Sequence, residues 1–306
     1  VTSEEQPRAL VSNIQGFSTE DGPGIRTTVF FKGCPLRCPW CHNPEGLLKK
    51  PELIFYEDKC IGCGECAKVC PVGAPVPGGE GSEKCGLCFK CADVCPTTAR
   101  QRMGEWYTVS GLVEKVLRDR VYYETSGGGV TASGGEAMVW PDFLAEFFAK
   151  LKDEGIHTAL DTSGVAGGAK LDAVLENTDL ALLDLKIMDE KKHKEVVGAD
   201  LQPLLENLRH IDAARTPVIF RVPLVPGHTD DADNLAKMAE FIKSLDMVEK
   251  VELLPYHRMA GPKYRQLGRD YKLGNISPPS DEDMETAASI FRKQGIDTSI
   301  AGKEQG

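Results

Sequence analysis

Gly24-Ile25-Arg26-Thr27-Thr28-Val29-Phe30-Phe31-Lys32-Gly33-Cys34-Pro35-Leu36-Arg37-Cys38-Pro39-Trp40-Cys41 runs a β-branched and aromatic stretch straight into three cysteines spaced C-x3-C-x2-C. Residues 24–31 read as a buried β-strand. A 4Fe–4S cubane held by Cys34, Cys38 and Cys41 alone would keep one iron open to a small molecule. Open coordination marks a catalytic metal site, and a filled shell marks a structural or electron-transfer site.

Eight of the eleven cysteines remain, and they form two copies of C-x2-C-x2-C-x3-C-P set 25 residues apart. The first copy is Cys60, Cys63, Cys66 and Cys70, and the second is Cys85, Cys88, Cys91 and Cys95. In the bacterial ferredoxin spacing the fourth cysteine of each run ligates the other cluster. One cluster is therefore expected on Cys60, Cys63, Cys66 and Cys95, and another on Cys85, Cys88, Cys91 and Cys70. Together with the first group this makes three 4Fe–4S clusters. Zinc is the alternative, but a zinc site rarely needs a third cysteine two residues on and a fourth before proline. The odd count argues against a disulfide framework, and no secretory leader is expected. So many thiolates imply a reducing compartment, so the expected location is cytoplasmic.

The chain has 306 residues and a net charge of −10. That balance, with no block of Lys or Arg, argues against nucleic acid as a partner. No apolar run approaches the roughly 18 residues needed to span a membrane. Around the cysteine repeat, whose halves are separated by a turn-rich spacer at 75–82, helices and strands alternate. Strands are expected at 25–31, 130–133, 158–161, 180–184, 218–222 and 251–254. Helices are expected at 109–122, 142–154, 171–176, 201–214, 232–245 and 281–294, the last with Ser280 as N-cap. Such alternation implies parallel strands with helical crossovers. Six strands are fewer than the eight of a closed barrel, so an open parallel barrel and a doubly wound sheet both fit.

Polar residues recur at the C-terminal ends of these strands, where parallel α/β folds bind ligands. Cys34 follows the first strand, and Ser133-Gly134-Gly135-Glu136 the second. Asp161-Thr162-Ser163 and Asp184-Leu185-Lys186 end the third and fourth, Arg221 the fifth, and His257 lies just past the sixth. An amino acid chelating an open iron needs acceptors for its amine, for which Glu136 and Asp184 are suited. It needs cations for its carboxylate, which Lys186 and Arg221 supply. Gly134 and Gly135 would let backbone approach a ligand closely. His257 and the 161–163 segment could meet ribose hydroxyls. Trp40 either packs against a base or shields the cluster. Taken singly, Asp184 also reads as a helix cap, Lys186 as a solvated charge and Arg221 as an ion-pair partner.

The C-x3-C-x-aromatic-C segment 34–41 resembles the motif of radical S-adenosylmethionine enzymes, and Gly134-Gly135-Glu136 resembles that family's Gly-Gly-Glu motif. Asp21-Gly-Pro-Gly-Ile-Arg26, Cys41-His42-Asn43, Asp184-Leu-Lys186 and Leu253-Leu-Pro-Tyr-His257 resemble the activating enzymes of glycyl radical enzymes, the pyruvate formate-lyase activase group. Ala137 stands where many members have proline. The resemblance implies an α/β fold, a partial (β/α)6 barrel at 1–57 and 104–306 with a ferredoxin-like domain inserted at 58–103. It implies reductive cleavage of S-adenosylmethionine to methionine and a 5′-deoxyadenosyl radical, which takes a hydrogen from a glycine of a partner enzyme. Partners of the diol dehydratase, choline lyase, hydroxyphenylacetate decarboxylase and isethionate lyase type go with the inserted domain. His42 and Asn43 are then expected at the cofactor and Asp21 at the partner's glycine loop. A monovalent cation is implied at Asp161, Thr162, Asp184 and the Leu182 carbonyl. A flavodoxin or ferredoxin would donate the electron, and a monomer is expected. The competing readings are a radical enzyme with auxiliary clusters acting on a peptide or small molecule, and a ferredoxin-type carrier.

Overall fold

The computed structural model describes residues 7–302, so the ends of the expected barrel segments, 1–6 and 303–306, lie outside the described residues. Strands β1 (Arg8–Ser18) and β2 (Arg26–Phe31) precede the first cysteines, and β3 (Glu52–Phe55) and β4 (Arg100–Met103) flank the cysteine repeat. After them come β5 (Glu105–Thr108), β6 (Gly129–Gly134), β7 (His157–Thr162), β8 (Leu180–Asp184), β9 (Val218–Leu224), β10 (Val248–Pro255) and β11 (Thr298–Ile300). One sheet of nine strands has the order β11-β10-β9-β8-β7-β6-β2-β1-β5. From β2 to β11 every neighbouring pair is parallel. β1 and β5 extend the sheet antiparallel beyond β2.

The six expected parallel strands form, and β11 is a seventh. The residues of β1 and β5 carry little apolar alternation. β1 is half-exposed over most of its second half, so the hydrophobic period that marks a strand is weak there. The helix expected at 109–122 is interrupted. It forms as Val109–Val116 and Arg120–Ser126, with a tighter turn between. The Tyr123 hydroxyl lies within hydrogen-bond distance of both the Val116 carbonyl, at 2.7 Å, and the Thr27 hydroxyl at the base of β2, which fastens the break to the sheet. The helix Glu190–Val197 was not legible because only His193 and Val197 of its eight residues are buried. Its N-cap, Asp189, accepts from the Lys192 N–H at 2.7 Å. The closing helix Asp281–Lys293 starts at Ser280 in a capping box with Asp283.

The two faces of the parallel strands differ, and this decides between the two architectures. Val130, Ala132, Leu160, Ala181, Leu183, Phe220, Val222 and Leu253 point to one face and join the main apolar core beneath the helices. The residues between them point to the other face. Ala159, Leu180, Leu182 and Ile219 form a small apolar patch there. Above it stand Ser133, Asp161, Asp184, Arg221 and Glu252. A doubly wound sheet is apolar on both faces. Charges on one face need a lumen, so the fold is the partial barrel. Among the described residues no helix is long and apolar enough to cross a membrane.

The β3–β4 pair brings together the two ends of the cysteine repeat, with Glu52 opposite Met103 and Phe55 opposite Arg100. Buried Lys32 pairs with Glu52 at 2.9 Å, and Arg269 bonds the other oxygen of Glu52 and the Pro44 carbonyl. This charged cluster ties the base of the repeat to the end of β2.

Candidate active site

The loop after β2 is held by backbone alone along much of its length. The Gly33 N–H donates to the Gly46 carbonyl at 2.7 Å, Cys34 N–H to Leu47, and Arg37 N–H to Val197. Gly135 N–H and Glu136 N–H reach back to Phe31 and Gly33. The glycine pair therefore serves chain-to-chain contact. A Cβ at Gly134 would stand 2.3 Å from the Phe31 nitrogen, and one at Gly135 would stand 2.4 Å from the Gly46 oxygen. No side chain fits at either place.

Cys34, Cys38 and Cys41 are partly buried and lie together on this loop. Burial pushes the Cys34 thiol up to about 12 and Cys41 to about 11, and raises Cys38 as well. As thiolates they need a compensating positive charge, which iron supplies. Trp40 is 6 % exposed and packs with Leu36, Ile187, Val197, Val225, Tyr256 and Leu273 beneath the loop. Its ring lies 5.6 Å from that of His228. This placement gives the indole a role in seating the loop and leaves little free face for a base.

Glu136 does not present its carboxylate to the lumen. Oε1 accepts from the Thr162 hydroxyl at 2.6 Å and the Met138 N–H at 3.1 Å. Oε2 accepts from the Ser163 hydroxyl at 2.6 Å and the Ser163 N–H at 3.0 Å. The side chain is 1 % exposed. It pins the end of β6 to the end of β7, and Thr162 is spent in the same bonds.

The lumen holds a chain of charges. Lys186 donates to Asp184 at 2.9 Å and is 7 % exposed. Burial works against its charge, but Asp184 and the sulfurs of Cys38 and Cys34 outweigh it and hold its pKa above the ordinary lysine value. In register beside Asp184 stands Arg221, and beside that Glu252. The Arg221 guanidinium lies 3.6 Å from Asp21, 3.7 Å from Asp161 and 3.8 Å from Glu252, and bonds the Glu20 carbonyl. Burial holds Asp161 above the usual carboxylate range against the pull of Arg221. Asp21 also accepts from Ser18 at 2.6 Å and Thr28 at 2.7 Å, and its carbonyl accepts from Thr131. Asp21 thus anchors the glycine-rich turn. Arg26 of the same turn is fully buried and donates to Thr131, Pro23 and Val130.

At the rim, His42 stacks on His257 with ring centres 4.0 Å apart. Burial, then His257 and Lys263, press His42 down to about 4, so it is neutral. Asn43 and Glu45 both accept from Lys263, at 3.0 and 2.8 Å. Three buried polar atoms have no hydrogen-bond partner among the described residues: Arg221 Nε, which only faces Glu252 at 3.8 Å, His257 Nδ1 and Glu45 Oε2. Such atoms are costly unless a ligand meets them. Two belong to residues expected at the cofactor, and the chemistry of the set fits a zwitterion with a ribose.

The expected cation ligands are engaged otherwise. Asp161 accepts from Ser133 and faces Arg221, Thr162 bonds Glu136, Asp184 bonds Lys186, and Leu182 lies in the sheet interior. Among the described residues no group of His, Cys, Asp or Glu is gathered for a single metal ion.

In the repeat, Cys70, Cys85, Cys88 and Cys91 line one cavity of about 190 Å³, together with Leu53, Phe89 and Arg100. Four thiols around one apolar hollow suit a cubane. Of the other set, Cys60 and Cys63 are exposed, and Cys66 and Cys95 are partly buried. The backbone repeats with the cysteines. Gly62, Gly64 and Gly73 have positive φ, and so do Leu87, Phe89 and Thr98, 25 residues later. Glu65–Val69 and Lys90–Asp93 form the matching short helices.

Sequence reasoning missed Glu252, Lys263 and the Lys32–Glu52–Arg269 cluster. Glu252 alternates with the apolar residues of its strand and was open to detection, whereas nothing local marks Lys263 or Arg269.

The Radical SAM superfamily model matches residues 28–239. The trans-4-hydroxy-L-proline dehydratase activating enzyme of Clostridioides difficile is 41% identical over 300 residues, covering 96% of this chain and 99% of that protein. The choline trimethylamine-lyase activating enzyme of Oleidesulfovibrio alaskensis is 39% identical, covering 96% of this chain and 98% of that one. The crystal structure of QueE from Escherichia coli, 14% identical, covers 96% of this chain and 93% of its own with a TM-score of 0.51, a likeness of fold. With its open barrel, its cysteine loop and these relatives along nearly its whole length, the chain belongs to the radical SAM superfamily and, within it, to the activating enzymes of glycyl radical enzymes.

Proposed function

We propose that this activase holds its catalytic 4Fe–4S cluster on Cys34, Cys38 and Cys41, carries two further cubanes in a ferredoxin-like insertion at 58–103, and transfers radical character to a glycine of a partner enzyme. The cluster supplies, when bound, the electron for reductive cleavage of S-adenosylmethionine. The observation that supports this reading best is Lys186, a buried cation between Asp184 and the sulfurs of Cys38 and Cys34. There it binds the carboxylate of the methionine moiety. Asp184 takes the ammonium, Arg221 adds positive charge from β9, and the neutral His257 offers Nδ1 to a ribose hydroxyl. Glu136 acts by holding the strand ends and the glycine pair in place. A monovalent cation, if bound, would draw Asp161, Thr162, Asp184 and the Leu182 carbonyl out of their present partners.

Asp21 and the turn it anchors face the lumen from the β2 side, so an extended glycine loop of the partner enters past them. Curated relatives of near-equal identity serve different partners, a dehydratase and a lyase, so identity does not choose among them. A flavodoxin or ferredoxin supplies the electron, and the protein works as a cytoplasmic monomer.

The test is anaerobic incubation with the glycyl radical enzyme encoded beside it. A glycyl doublet in the EPR spectrum and oxygen-dependent cleavage of that enzyme are expected. Steady deoxyadenosine production with no radical on any such enzyme would sink the partner assignment. Iron analysis after anaerobic reconstitution should give about twelve irons per chain. A value near eight would remove one of the three sites.

Lys186→Ala should lose a charge-assisted contact of about 1.5–3 kcal/mol. The dissociation constant for S-adenosylmethionine then rises roughly tenfold or more. Titration of the cofactor-induced change in the reduced cluster's EPR signal reads this directly, and an unchanged curve would place the carboxylate elsewhere.

A further inference from the structure

Arg100 is 5 % exposed at the start of β4. Its guanidinium donates to the Pro75 carbonyl at 2.9 Å and the Ala74 carbonyl at 2.6 Å, and lies 5.3 Å from the centre of the Phe55 ring. It lines the cavity of Cys70, Cys85, Cys88 and Cys91, beside the Cys91 sulfur. No carboxylate pairs with it among the described residues. A buried guanidinium normally finds an anion, because an uncompensated charge away from water is costly. Here the available anion is the thiolate set itself.

The repeat isolates this feature. The residue 25 positions earlier, which stands in the same relation to the other half, is Pro75. The two halves match at Ala74 and Ala99 and then part, one with proline and the other with arginine. Exposure parts them in two of the matching positions: Cys91 is buried where Cys66 is partly so, and Cys85 is partly buried where Cys60 is exposed, while Cys88 and Cys63 are both exposed.

We propose that Arg100 makes the two auxiliary sites unequal, raising the reduction potential of the cluster on Cys70, Cys85, Cys88 and Cys91 so that an electron entering the insertion rests there. This rests on the reading of the insertion as a two-cluster domain. Four thiolates around a cubane form a polyanion, and one-electron reduction from the 2+ to the 1+ core adds a further negative charge with no bond made or broken. A low-potential one-electron donor supplies that electron. A fixed cation at the cavity wall stabilises the reduced state more than the oxidised one. Net charge and hydrogen bonds near the sulfurs are established controls on cluster potential.

The experiment is an EPR-monitored redox titration of the reconstituted full chain, wild type against Arg100→Gln, with dithionite as reductant. Cys88→Ser identifies which signal belongs to this site by removing it. In Arg100→Gln that one midpoint should fall so that the reduced-to-oxidised ratio at fixed potential drops about tenfold, which is 59 mV for one electron. The other midpoints should hold. About twelve irons with every midpoint unmoved would overturn the proposal alone. About four irons in the wild type would overturn the two-cluster reading and the proposal with it. If Arg100→Gln fails to retain its iron, Arg100→Lys carries the test. It keeps the charge, so its midpoint should stay near the wild-type value, and a tenfold fall in that variant would show that charge is not the control.

Discussion

Cys38→Ala is expected to bring 5′-deoxyadenosine formation down to background, even with excess dithionite. The reason is chemical and not structural. The turn around Cys38 is held by backbone, with the Cys41 N–H donating to the Cys38 carbonyl at 3.1 Å, and by Trp40 packed beneath it. Those contacts survive the change. What is lost is one of three thiolates, and a cubane already one protein ligand short is not retained on two. The control is Cys63→Ala, whose thiol is exposed in the insertion. With a strong chemical reductant it should retain measurable cleavage. Full activity in Cys38→Ala would refute the placement of the catalytic cluster. Complete loss in Cys63→Ala, with the first cluster spectroscopically intact, would make the insertion obligatory for cleavage.

Glu136→Ala should cost about 2–6 kcal/mol of stability, about 1–3 kcal/mol for each of the two buried backbone donors it leaves unmet. Four donors meet this carboxylate: the Met138 and Ser163 N–H groups and the Thr162 and Ser163 hydroxyls. The hydroxyls can turn to other acceptors, but the two backbone N–H groups cannot. Glu136→Gln sharpens the test. One N–H lies on each oxygen, so whichever way the amide turns, one backbone donor faces its NH2 group. That variant should lose about 1–3 kcal/mol, the cost of a buried unsatisfied donor. Anaerobic urea unfolding of the reconstituted protein measures both. If each stays within about 0.5 kcal/mol of wild type, the behaviour of an ordinary surface position, the bracing role is wrong.

Glu136 also shows where sequence reading stops. A glutamate after two glycines at a strand end looks like a ligand group, and its type and place were readable. Its use was not, because Thr162 and Ser163 stand some 26 residues away and their hydroxyls carry no sign of direction. The glycines before it were read as room for a ligand and instead admit the chain at Phe31 and Gly46. The parallel strands were legible from β-branched runs with polar ends. The choice of barrel over doubly wound sheet was latent in the same strands. β8 and β9 are near-continuous apolar runs, as in a parallel sheet buried on both faces, and only Asp184 at the end of one and Arg221 within the other mark the face that becomes the lumen. β1 and β5 were lost because a strand half in water and a strand of four residues leave too little pattern.

A closed barrel has no edges, whereas this sheet has two, and an unpaired edge invites strands of other molecules to add on. Here the two end strands are stubs. β11 offers three residues and β5 four, the latter half-wet and mixed with Glu105. Past the reach of β5 the outer side of β1 is uncovered from residue 12 to 18, but register shifts against β2 at Val11/Asn13 and Gln15/Ser18 break the regular ladder that a foreign strand would need. An open barrel wall therefore carries little risk of uncontrolled self-association, and the molecule stays open along one side without forming fibres of itself.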